Sequence, residues 1–319
     1  MSGNGTIRVE RTGLFDSIQD AGRNGYRRFG VPTGGWFDAR YAMLANAMLG
    51  NSTDAACIEI TQKSGLFLAL QSVQIAIAGP GARLFIDQNE IKKEYNFTCI
   101  KLQLKPGDLF EIEMTGSGFR CYLAVKGGWD VKKTMGSQSS ESRLIKSDCI
   151  NSYFNCHSID SISGCQLLRH DPFEVDFPSG IFRMMPSLEF NELFDDRFFE
   201  AQWRLSPQSN RVGARFLPDK PFNDNLFSKI KPNRLSEPVL PGSIQWTGSE
   251  LIILGPAGGT MGGYPRVGQL ITTDFHRLAQ ACPGNPIKLR PVNLQASREL
   301  ADINQQSIRN CISLIKNMI

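Results

Sequence analysis

The stretch "ILGPAGGTMGGYPRVGQL", residues 253–270, places six glycines between Gly255 and Gly268 and includes Tyr264-Pro265. Glycine loses more conformational freedom on folding than any other residue, so a cluster this dense marks unusual dihedrals or a ligand close to the backbone. A phosphate cradle is the first chemistry to test. A P-loop needs GxxxxGK[ST], because its Lys reaches the terminal phosphates and its hydroxyl binds magnesium. Gly258 and Gly263 have the first spacing, but Tyr264 and Pro265 follow, supplying neither cation nor metal ligand, and a GxGxxG cannot be written here. Two readings stay open: a tight loop between strands, and a ligand-facing loop in which Tyr264 stands beside the N–H groups of Gly262 and Gly263.

Two other stretches concentrate polar groups that a β core would not request. Residues 15–40, "FDSIQDAGRNGYRRFGVPTGGWFDAR", carry Gln19, Asp20, Arg23, Tyr26, Arg27, Arg28 and Asp38 among loop glycines and Pro32. Loops held by a rigid scaffold often bear binding groups, and the competing reading is a solvated loop whose charges pair with one another. Residues 204–216, "RLSPQSNRVGARF", set Ser206, Gln208, Ser209, Asn210 and Arg211 around a proline. An Arg there suits a bidentate clamp on a carboxylate or phosphate, against the alternative of a capped turn with a surface Arg.

Other chemistries find little support. His157, His170 and His276 are scattered, and no Ser-His-Asp, Cys-His, HExxH or EF-hand arrangement is legible. The eight cysteines include no CxxC pair, and Cys156-His157 is the nearest approach to a site. Reduced, mostly buried thiols in a cytoplasmic protein are expected, with no metal. Net charge is +4 without a run of five like charges, which argues against nucleic acid or an anionic membrane as partner. Neither a secretory leader nor a membrane-spanning run is visible.

The elements that must hold these loops are mostly short strands. "TIRVERTG", "CIEITQ", "LFLAL", "VQIAIAG", "RLFID", "CIKLQL", "LFEIEM" and "FRCYLAV" read as eight strands separated by turn signals, which suits an antiparallel barrel or sandwich. One helix follows Asp38 as N-cap, with Tyr41, Leu44 and Met48 on one face and Gly50 ending it. A second spans about 295–317, with Leu300, Ile303, Ile308, Ile312 and Ile315 as its apolar stripe. "IAIAGPGARLFI" then "LKPGDLFEI" in the first half echo "LIILGPAGGTM" then "ACPGNPIKL" in the second. The echo predicts two tandem β-domains, 1–178 and 179–319, with Pro80 and Pro256 at equivalent turns.

The polar stretches also carry a family likeness. "SIQDAGRNGYRRFGVPTGGWFDARYAMLANAMLGNSTDAACIEIT", "YLAVKGGWDV", "LSPQSNRVGARF", "LSEPVLPGSIQW" and "MGGYPRVGQLITTD" closely resemble the KipA and allophanate-hydrolase-subunit-2 family. That family also includes the C subunit of bacterial ATP-dependent 5-oxoprolinase and part of urea carboxylase. The resemblance implies a mainly β fold of two tandem cyclophilin-like barrels with a few helices. It implies a KipI-like B subunit and, for 5-oxoprolinase, an A subunit as partners, with a small amide or lactam as substrate.

Three functions follow from the resemblance: a subunit of an ATP-dependent 5-oxoprolinase-type hydrolase, a biotin-dependent carboxyltransferase acting on a urea-like or amide nitrogen, and a non-enzymatic antagonist of a KipI-like protein. ATP would be shared with partner subunits, and biotin would ride on a separate carrier. Asp38, Arg211 and Tyr264 are the expected catalytic groups, converging on one cleft. Gln19, Arg23, Tyr26, Gln208, Ser209, Gly262 and Gly263 are the expected substrate contacts. Several departures subtract polar groups: "GGTM" replaces the usual Arg-Gln-Thr-Thr, Asn210 an Asp, and Ala214 an aromatic, while "SESRLIKSDCINS" lacks the usual glycines.

Overall fold

The computed structural model describes residues 5–88, 91–154, 165–173, 180–190, 196–220 and 235–318. The fold is mainly β and divides into two compact units. The first comprises Met1–Arg23, Asp38–Glu174 and Ser307–Ile319, and the second Asn24–Phe37 and Val175–Gln306. Part of the polar stretch 15–40 is thus counted with the later half of the chain.

The first unit is one long curled sheet. Its strands are β1 (Ile7–Arg11), β2 (Asp16–Gln19), β3 (Cys57–Thr61), β4 (Leu66–Ala69), β5 (Val73–Gln88), β6 (Ile91–Leu104), β7 (Leu109–Met114), β8 (Arg120–Val125), β9 (Trp129–Asp130), β10 (Cys149–Ser152) and β11 (Gln166–Leu168). They hydrogen-bond in the order β2-β3-β8-β5-β7-β4-β1-β10-β9, with β6 on β5 and β11 on β6. "LFEIEM" alternates half-buried and buried along β7, the period a one-sided sheet imposes. Ile58, Ile77, Leu84, Phe110 and Leu123 pack in the core. Helix α1 (Ala39–Met48) starts where Asp38 accepts a hydrogen bond from the Arg40 N–H, and it ends before Gly50 at φ +65°.

Two expected strands, "VQIAIAG" and "RLFID", are one. β5 runs through Gly79-Pro80-Gly81 as a bulge between Ala78 and Ala82 rather than turning there. A Cβ on Gly79 would stand 3.0 Å from the Cys121 Cα and nearer still to its side chain, so the close strand approach explains that glycine.

The second unit is a closed seven-stranded barrel. It uses β12 (Ile181–Pro186), β13 (Trp203–Leu205), β14 (Gly213–Pro218), β16 (Ser243–Trp246), β17 (Leu251–Leu254), β19 (Arg266–Leu270) and β20 (Pro286–Pro291), in the order β12-β19-β16-β17-β14-β13-β20. Closure is by the parallel pair β12 and β20. A separate two-stranded ribbon pairs β15 (Glu237–Pro238) with β18 (Met261–Gly262). Phe182, Trp203, Phe216, Ile244, Trp246 and Ile253 fill the barrel, joined by Phe37.

Short helix α2 (Arg197–Glu200) and helix α3 (Thr272–Ala279) accompany the barrel. Asp274, fully buried in α3, receives the Arg183 guanidinium of β12 through both oxygens and so ties helix to barrel. Helix α4 (Leu294–Met318) confirms the long C-terminal helix, but Ile303 is 62% exposed while Ile312 and Ile315 are buried. Leu300 and Ile308 are half-buried, so the apolar stripe is covered most fully towards the end of the helix.

The two Gly-Pro echoes have different surroundings. β5 is flanked before Gly79 by β6 and β8, which follow it in the chain. β17 is flanked before Gly255 by β14 and β16, which precede it. Pro80 lies in a bulge within β5 whereas Pro256 follows the end of β17, so the two are not equivalent turns.

Candidate functional site

In the first unit the polar residues of 15–23 fold inward. β2 carries Asp16, Ser17 and Gln19, all buried. Asp20 is the centre of a clasp on residues 137–139. Its carboxylate accepts the Ser137 hydroxyl at 2.6 Å, the Ser139 hydroxyl at 2.7 Å, the Gln138 N–H at 2.6 Å and the Gly22 N–H at 2.8 Å. Burial pushes the Asp20 carboxyl upward, but these donors outweigh it and hold the group below its ordinary value. Gln19 donates to Ser17 Oγ at 3.0 Å and to the Ser140 carbonyl at 2.7 Å, and Arg23 donates to the Ser139 carbonyl.

Asp38 is likewise enclosed. It is fully buried, N-caps α1 and pairs with Arg40 at 3.0 and 2.9 Å. Its backbone N–H donates to the Tyr122 hydroxyl, which donates to Glu59 at 2.9 Å. Burial alone would lower the Arg40 pKa, and the Asp38 charge reverses this.

In the barrel unit the three polar stretches do meet. Residues 24–37 contribute Arg27, whose Nη2 donates to the Val239 carbonyl at 2.5 Å and the Gly259 carbonyl at 3.1 Å. The Gly34 N–H donates to the Pro256 carbonyl at 2.9 Å. Residues 204–216 contribute Arg211, 4% exposed, which donates to the Gly35 carbonyl at 2.6 Å. The Arg211 carbonyl in turn accepts the Ala257 N–H at 3.2 Å, and a Cβ on Gly255 would overlap that carbonyl. This is the physical reason for the first glycines of the cluster: backbone packs on backbone. Beyond them the loop surfaces. Gly259 is exposed, Gly262 and Gly263 are half-buried, and Tyr264 is 44% exposed.

Residues 29–291 match the family described as carboxyltransferase domain, subdomain A and B. The chain belongs to this carboxyltransferase-domain family. It is 30% identical to the C subunit of 5-oxoprolinase from Escherichia coli strain K12, over 91% of this chain and 92% of that one. It is 27% identical to urea amidolyase of Saccharomyces cerevisiae, over 95% of this chain but only 18% of that protein. In fold it is similar to the urea carboxylase of Kluyveromyces lactis, with TM-score 0.80, 23% identity, and coverage of 98% of this chain and 30% of that one.

Within this carboxyltransferase-domain chain the expected site residues separate by unit. Tyr26, Gln208, Ser209, Arg211, Gly262, Gly263 and Tyr264 belong to the barrel unit; Gln19, Arg23 and Asp38 belong to the other. Gln208 is exposed, and its N–H donates to Ser206 Oγ at 3.2 Å. Ser209 Oγ accepts the Arg215 N–H at 2.9 Å, and Asn210 caps the turn through the Val212 and Gly213 N–H groups. Arg211, expected to hold a substrate anion, is buried and donates through Nη2 to the Gly35 carbonyl. Cys156 and His157 lie outside the described residues. No helix among the described residues is long and apolar enough to cross a membrane.

Sequence reasoning named Arg27 only as one loop charge among several and passed over two other buried donors of the barrel unit. Among the described residues Arg27 Nη1, Trp36 Nε1 and Gln245 Nε2 have no hydrogen-bond partner. Arg27 is one of several charges in a polar loop, whereas Gln245 lies inside the apolar strand "SIQW", where an alternating pattern gives no hint of function.

Proposed function

We propose that this chain is the C-type subunit of a 5-oxoprolinase-type complex that opens a small lactam or amide at the expense of ATP, working with a KipI-like B subunit and an A subunit. The near full-length similarity to the E. coli protein carries this reading. Phosphorylating the amide oxygen with ATP makes the ring carbon attackable by water. The ring C–N bond then breaks as its nitrogen takes a proton, and a second water hydrolyses the acyl phosphate left behind and releases phosphate. Negative charge on the phosphoryl oxygens has to be held throughout. Fixed N–H donors facing that charge lower the barrier. The half-buried backbone at Gly262 and Gly263 and the exposed Tyr264 are the groups of this chain suited to that task. Arg211 acts as a positioning residue, holding the 24–37 segment against the loop.

A second reading is carboxyl transfer from a biotin carrier on another chain to a urea-like nitrogen, favoured by the family description and by the urea amidolyase similarity. One reconstitution separates the two. The chain is co-expressed with KipI-like and A-type subunits. ATP-dependent conversion of 5-oxoproline to glutamate is then measured with wild type, with Tyr264→Phe, and with the two partners alone. The expected result is turnover that requires this chain and falls about tenfold or more in Tyr264→Phe. Turnover by the partners alone points to a regulatory role for this chain, and carboxyl-biotin consumption in place of 5-oxoproline hydrolysis selects the second reading.

A further inference from the structure

Two of the orphaned donors belong to residues packed on neighbouring backbone, Arg27 on Val239 and Gln245 on Gly262. Gln245 sits on β16 between Ile244 and Trp246, both inside the barrel core, so strand alternation turns Gln245 to the outer wall. There it is 4% exposed, and its amide nitrogen lies against Gly262: a Cβ at that glycine would collide with Nε2 and come within 3.2 Å of Val239 Cγ1. The Val239 carbonyl is the one that Arg27 Nη2 grips, while Arg27 Nη1 is buried and unpartnered among the described residues. Burial also pulls the Arg27 pKa below its ordinary value, the sign of a cation held from water. The two free groups are both donors. A buried donor left unpaired destabilises a fold, so such groups tend to persist where a ligand supplies the acceptor.

We propose that Arg27 Nη1 and Gln245 Nε2 form an oxyanion-selective subsite under the β15–β18 ribbon, which binds the carboxylate of the small ligand presented to the Gly259–Tyr264 loop. The proposal rests on the lactam reading for its choice of ring, but the subsite itself requires only a carboxylate. Glycine at 262 puts only backbone, with no side chain, against the amide, and Arg27 adds the charge that discriminates carboxylate from neutral amide.

The test uses the full chain and calorimetric titration with 5-oxoproline, with 2-pyrrolidinone (the same ring without the carboxylate) and with acetate. Wild type is expected to bind 5-oxoproline at least about tenfold tighter than 2-pyrrolidinone, and Gln245→Met and Arg27→Met to erase that preference. Melting temperature gives the second readout. Gln245→Met removes an unpaired buried donor at similar volume, so its melting temperature stays level or rises while carboxylate binding is lost; a structural glutamine would lower it. Unchanged 5-oxoproline binding in both variants overturns the subsite and leaves the lactam reading standing. A wild type that binds acetate through the two residues but disregards the lactam ring supports the subsite and sinks the lactam reading. A wild type that prefers neither carboxylate over 2-pyrrolidinone overturns the subsite.

Discussion

The stretch 15–40 has opposite uses in its two parts. Around Asp20, four donors converge on one carboxylate and the polar groups serve to fasten residues 137–139. Around Arg27, one guanidinium nitrogen grips two carbonyls while the other finds no acceptor among the described residues. Both parts look equally polar and glycine-rich as sequence. Saturation sets Asp20 apart from Arg27, but Asp16 Oδ1 and Gln19 Oε1 in the first part also lack a partner among the described residues, so what distinguishes Arg27 is that its unpaired atom is a cationic donor. The family resemblance places candidate substrate contacts in both parts, and the hydrogen bonding favours the second.

The largest expected effect follows from the saturated side. Asp20→Ala leaves two hydroxyls and two backbone N–H groups without their acceptor, a loss of about 3 kcal/mol or more in unfolding free energy measured by urea titration. The pH dependence has a definite sign. Because the folded Asp20 carboxyl lies below its ordinary value of 3.8, its contribution is fully present above that pH and is lost as pH falls through the folded value. An Asp20→Ala protein as stable as wild type at pH 7 would remove the basis of the contrast.

Arg211 tests the comparison in the barrel unit. It is buried on the Gly35 carbonyl rather than held open to a ligand. Arg211→Ala is therefore expected to cost about 2 kcal/mol and to lower the melting temperature, with any loss of ligand affinity following from the loosened 24–37 segment. Arg211→Lys, which keeps a donor for the Gly35 carbonyl, should restore part of the stability. An Arg211→Ala protein with an unchanged melting temperature and abolished 5-oxoproline binding would return Arg211 to the role of anion ligand.

How much of this is legible in the sequence depends on burial pattern. The alternation in "LFEIEM" and the Asp38 cap identify β7 and α1 because one face of each element is apolar or one end is polar. β2 reads as loop because Asp16, Ser17 and Gln19 are polar, although all are buried in the sheet. The Gly79-Pro80-Gly81 turn signal is in fact a bulge, since the spatial neighbour that requires glycine, Cys121, is far away in sequence. The ribbon of β15 and β18 has two residues per strand, too few to show a period. Gln245 is hidden by strand alternation that would also suit a surface glutamine; its position before the glycine loop is the available signal.

The smallest expected effect comes from Asp16, which sharpens the contrast from within the first unit. It is fully buried on β2, cross-strand from Ile60, which pairs in turn with Cys121. One oxygen accepts the Gly65 N–H at 2.7 Å; the other has no partner among the described residues. Burial pushes the carboxyl from 3.8 up to about 6, against the opposing pull of the Gly65 N–H and the Arg143 charge. Asp16 therefore has the reverse pH sign to Asp20. Its favourable neutral form is intact in the folded protein below pH 3.8, and the advantage is lost as pH rises through about 6, so that at pH 8 the ionised group weighs against the fold. Asp16→Asn keeps an acceptor for Gly65 and removes the charge, while leaving a neutral donor unpaired where the free oxygen stood. Those terms oppose each other, and the net gain at pH 8 is expected to be about 1 kcal/mol, shrinking to zero or a small loss by pH 4. Urea unfolding of both proteins at the two pH values measures it. A difference that stays the same at pH 4 and pH 8 would mean that water reaches Asp16, and that an unpartnered carboxylate oxygen in this unit says nothing about what the orphaned donors of the barrel are for.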